Sequence, residues 1–98
     1  MNNKVVESFK KYFATQPIIK AWLFGSFSRG EETSDSDIDI MVRYDENADI
    51  SLFTVGGIYM DLQKLLGRNI DLVEENMLEP YAAEHANHEK ILIYERAH

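Results

Sequence analysis

Apolar positions along the chain change their period several times, and each change marks an element. Over residues 3–15, Val5, Phe9 and Tyr12/Phe13 recur at helical spacing. Asn2 or Asn3 can cap the start of that helix, and Lys10 and Lys11 sit near its carbonyl end. Gln16-Pro17 ends it, because the residue before a proline avoids helical backbone. Ile18 to Phe24 is apolar almost throughout, the pattern of a strand inside a sheet. A Gly-Ser turn, a short helical turn at 26–31 and a polar loop at 32–36 follow. Residues 37–43 then alternate, with Asp37 and Asp39 on one face and Ile38, Ile40 and Val42 on the other.

Beyond an acidic loop at 44–49, Ser51 is a candidate N-cap for a helix running to about Leu66. Its apolar stripe is Leu52, Val55, Tyr59, Leu62 and Leu66. Gly56-Gly57 lies in the middle, and each glycine costs roughly 1 kcal/mol against alanine there. The pair therefore predicts either a close approach to the helix backbone or a break. Gly67 is the helix stop, with Arg68 beside the carbonyl end. Residues 69–74 form a third strand, with Ile70 and Leu72 on one face and Asp71 and Val73 on the other. Pro80 suits the first turn of a helix at 79–88, and residues 90–95 form a last strand. His85 and His88 share a side of that helix, and with no third ligand nearby they are surface histidines rather than a metal pair. The sum is α/β: one domain over residues 1–98, a mixed sheet of about four strands, helices on one face and an open cleft on the other.

Composition narrows the function classes. At 98 residues, 45% hydrophobic and 28% charged, the chain has the make-up of a single soluble globular domain. Neither a membrane span nor a signal peptide is visible. The absence of cysteine excludes disulfides and thiolate metal sites, and a cytoplasmic home is the simplest expectation. A net charge of −7 disfavours nucleic acid as a partner and favours a protein with a basic face.

The chemistry centres on the second strand. Two carboxylates side by side repel unless a cation sits between them, and a hard divalent ion with oxygen ligands, Mg²⁺, is the fitting one. If Ile70 and Leu72 join Ile38 and Ile40 beneath the helices, Asp71 falls on the face of Asp37 and Asp39. Gly25-Ser26 follows a strand, where backbone N–H groups and a hydroxyl can converge on a phosphate. Either feature alone is ordinary turn or strand-edge chemistry. In order, they point to metal-assisted chemistry on a nucleotide.

Gly25-Ser26, ten residues, then Asp37-x-Asp39 resembles the signature of the DNA polymerase beta-like nucleotidyltransferases. With Arg29-Gly30-Glu31 and Ser36-Asp37-Ile38-Asp39, the chain looks most like the minimal nucleotidyltransferases, antitoxins commonly encoded beside a HEPN-domain toxin. The resemblance implies that Asp37 and Asp39 bridge two Mg²⁺ ions and that Asp71 completes the metal site and can take the acceptor's proton. It also implies that Gly25 and Ser26 hold the triphosphate of ATP. Arg29 either adds charge to that cradle or pairs with Glu31 or Glu32. The implied reaction is transfer of AMP from ATP to a tyrosine hydroxyl of a HEPN toxin. The alternative is a non-catalytic antitoxin that keeps the nucleotide site and neutralises its partner by occlusion.

Overall fold

The computed structural model describes residues 3–25, 37–75 and 90–97. Their order is α1 (Asn3–Phe13), β1 (Ile18–Phe24), β2 (Ile38–Tyr44), α2 (Leu52–Leu66), β3 (Ile70–Glu74) and β4 (Ile91–Glu95). The strands form one sheet in the order β3-β2-β1-β4, so the apolar β1 lies inside it as its composition requires. β1 runs antiparallel to β2 and β4, and β2 runs parallel to β3. A parallel pair needs a crossover, and α2 supplies it. The expected turn at 26–31, loop at 32–36 and helix at 79–88, with His85 and His88, lie outside the described residues.

The core is a layer between the helices and one face of the sheet. Phe9 and Phe13 of α1 and Ile58 and Leu62 of α2 pack there on Ile38, Ile40 and Val42, all buried. Phe9 and Phe13 stack with ring centroids 5.8 Å apart. A register shift between Ile18 and Lys20 lets both Ile18 and Ala21 face this core, which strict alternation would forbid. Tyr12 Oη donates to Asp61 Oδ2 at 2.7 Å and ties α1 to α2. Glu74 pairs in register with Val42 and so turns to the core side, as the alternation predicts. Burial first, and the Glu74 carboxylate second, push the Tyr44 phenol above its ordinary range.

α2 starts and stops where the sequence predicts. Ser51 Oγ accepts from the Thr54 N–H at 3.2 Å, and Thr54 Oγ1 accepts from the Ser51 N–H at 3.3 Å, a reciprocal cap. Gly67 adopts a φ of 63° and donates its N–H to Gln63 O at 2.8 Å. The stripe differs from the expected one. Val55, Leu62 and Leu66 face the core, but so does Ile58, while Leu52 and Tyr59 are exposed. Gly56-Gly57 also departs from expectation: the helix runs through unbroken, and a Cβ at either position would meet nothing within 4 Å among the described residues.

Candidate active site

The opposite face of the sheet carries the candidate chemistry. Parallel pairing sets Asp39 directly beside Asp71, and antiparallel pairing sets Phe24 on the other side of Asp39. Adjacent strands lie about 4.8 Å apart, so Asp39 and Asp71 are neighbours across the sheet. Asp37 precedes β2 and is exposed, and the entry to β2 is fixed by the Ile38 N–H donating to Asn69 O at 3.1 Å. Ile38 and Ile70 plug into the core beneath, with 2% and 3% of their surface exposed, which pins the register that aligns the carboxylates.

Gly25 ends β1 against this group. Its φ is +70°, and a Cβ there would overlap Asp39 Oδ2 and lie 3.1 Å from Asp39 Cγ. A glycine adopts this left-handed backbone without strain and leaves the Asp39 carboxylate where it stands, whereas a side chain would force it to move. Half of the Gly-Ser motif therefore has a structural explanation that involves the Asp-x-Asp motif itself. Ser26 and Arg29 lie outside the described residues.

Three carboxylates supply hard oxygen donors only, which suits Mg²⁺ and no soft metal. The backbone register sets Asp39 beside Asp71, and Asp37 immediately precedes the strand that carries Asp39. Their side chains do not converge into a three-ligand group, and no such group occurs among the described residues. Asp37 and Asp71 are exposed, so rotation about their own side-chain bonds is sterically open to them. Glu75, an acidic residue just past the end of β3, is engaged elsewhere: it accepts from Arg43 Nη2 at 2.7 and 3.1 Å.

The face is less open than the sequence predicts. Trp22 and Met41, adjacent in register, are 5% and 0% exposed and form a second apolar cluster with Phe24. Lys90 Nζ lies 4.3 Å from the Trp22 ring centroid and the Arg43 guanidinium 5.5 Å. Both distances fit cation–π contacts. The carboxylates thus adjoin a cation-flanked aromatic floor. Strand alternation placed Trp22, Met41 and Arg43 on this side, but only long-range pairing with β4 brings Lys90 to it.

The family model described as "Polymerase beta, Nucleotidyltransferase" matches residues 3–98. The chain belongs to this family. Among its relatives, a candidate protein adenylyltransferase of Methanocaldococcus jannaschii is 45% identical over 60 residues, 60% of each chain. The alignment thus spans less than two thirds of that relative's length. A candidate minimal nucleotidyltransferase of solved structure is 31% identical, with a TM-score of 0.75, over 88% of this chain and 86% of its own. The fold also matches, at a TM-score of 0.71 and 17% identity over 98% of this chain and 74% of the other, a structure of the tri-AMPylated Shewanella oneidensis HEPN toxin in complex with an MNT antitoxin. The four-stranded mixed sheet with helices on one face is the minimal nucleotidyltransferase fold in this family.

Proposed function

We propose that this chain is a protein adenylyltransferase that moves AMP from ATP to a tyrosine hydroxyl of a HEPN-domain toxin and acts as its antitoxin. The observation that carries the reading is the closure of Gly25 over the Asp39 carboxylate, with Asp71 beside it in register. The glycine's left-handed backbone lets the turn lie against that carboxylate, so the two motifs meet in one place. The relative named for protein adenylyl transfer supports the reading, as does the fold neighbour in complex with an AMP-modified toxin.

In this reading Asp37, Asp39 and Asp71 hold divalent ions, Mg²⁺ by their chemistry. A bound divalent ion supplies neutralisation of the triphosphate charge and a more acidic acceptor hydroxyl. Gly25 and Ser26 bind the triphosphate tail, and Arg29 adds a cation to it. Asp71 accepts the proton of the tyrosine hydroxyl as its oxygen bonds to the α-phosphorus. The bond from that phosphorus to the pyrophosphate oxygen breaks, and pyrophosphate leaves with the electron pair. The domain spans residues 1–98, and the cytoplasm is its proposed place; no helix among the described residues is long and apolar enough to cross a membrane.

The test is intact-mass spectrometry of a HEPN toxin after incubation with ATP, Mg²⁺ and catalytic amounts of this protein. One or more AMP additions are expected. Neutralisation only at one-to-one stoichiometry, without ATP and without a mass change, would replace the enzyme with an occluding antitoxin.

A further inference from the structure

We propose that the outward face of α2 is a homodimer interface, with two copies of the helix packing antiparallel about Gly56-Gly57. Large apolar side chains on this helix stand out from the fold: Phe53 is 92% exposed, Leu52 88% and Met60 57%. Two glycines separate Phe53 from Met60 on that face. Each weakens the helix by roughly 1 kcal/mol, and among the described residues nothing lies within 4 Å of where a Cβ would stand on either one. The cost is explained if another backbone comes close, since missing side chains let helix axes pass nearer than the usual 8–10 Å or so.

A second copy fits because the face is complementary to itself. About a two-fold axis between Gly56 and Gly57, an antiparallel copy sets Phe53 against the other Met60 and glycine against glycine. The same register carries Lys64 towards the other copy's Asp49, just before the helix. Both are exposed, and neither has an ion-pair partner among the described residues. Apolar meets apolar, small meets small and cation meets anion, the condition for an isologous interface. The pairing also leaves the carboxylate face uncovered, because α2 lies on the opposite face of the sheet from Asp39 and Asp71. The inference is therefore independent of the proposed reaction.

Sedimentation equilibrium of the intact chain should give twice the monomer mass at high concentration, dissociating on dilution. Phe53→Glu with Met60→Glu should sediment as a monomer with an unchanged circular-dichroism spectrum. The chain has no cysteine, so introduced thiols report the register directly. Phe53→Cys with Met60→Cys should form disulfide-linked dimers under mild oxidation, whereas either single variant should not. A wild-type chain that stays monomeric overturns the proposal and leaves the face to a different protein. A dimer that survives the double glutamate variant, or fails to cross-link in the double cysteine variant, overturns it as well.

Discussion

Gly25 and Asp39 form a unit in which one residue's missing side chain is the other's space. An alanine at position 25 meets two separate penalties. Left-handed backbone costs an L-residue about 1–2 kcal/mol, and its Cβ would occupy the volume of Asp39 Oδ2. The second penalty is relieved cheaply, because a carboxylate can swing aside. We therefore expect Gly25→Ala to lower stability only by about 1–2 kcal/mol in urea denaturation. AMP transfer should fall by a factor of about 100, since small displacements of a reacting group cost that much. A loss of activity no larger than the loss of folded protein would return Gly25 to the role of an ordinary turn residue.

At the scale of elements, α2 separates what a sequence specifies from what packing decides. Its ends were legible, because Ser51, Thr54 and Gly67 act through local hydrogen bonds and backbone conformation. Its inner face was not, because Ile58, Tyr59 and Met60 are consecutive apolar residues and periodicity alone cannot rank them. Docking on the sheet chooses Ile58, so Ile58→Ala should cost about 2–5 kcal/mol while Tyr59→Ala costs under about 1 kcal/mol, measured by the same denaturation. The strands were legible for a related reason: alternation fixes faces, and the aspartates and isoleucines of β2 could occupy only one arrangement. Cross-sheet partners were not, which is why the contact of Lys90 with Trp22 was missed. The loop after β2 adds a pH dependence. The Asn47 backbone N–H, and then Arg96, hold the Asp45 carboxyl below its ordinary value. A depressed folded pKa stabilises above the unfolded value and ceases to do so as pH falls through the folded one. The urea midpoint of the wild type should therefore exceed that of Asp45→Asn at neutral pH. The two should converge as pH drops below about 4, the ordinary carboxylate range.

The whole molecule is a sheet with its stability on one side and its candidate chemistry on the other. Ile38, Ile40 and Val42 anchor β2 to the helices, while Asp37 and Asp39 of the same stretch face away from them. Substitutions on the second face should then be separable from folding in a way that core substitutions are not. Asp37→Asn with Asp39→Asn conserves shape and removes two negative charges from a chain of net charge −7. Relief of repulsion between neighbouring carboxylates should leave the urea midpoint unchanged or raise it. The same variant should lose AMP transfer to a HEPN toxin altogether. It should still bind that toxin, with an affinity that weakens as salt is raised, because the remaining acidic surface supplies the attraction to a basic partner. Stability, transfer and binding measured on one double variant thus probe three different parts of the molecule. Transfer that persists at near wild-type rate would remove Asp37 and Asp39 from the site. A large drop in stability would mean that these carboxylates hold the fold together rather than the nucleotide.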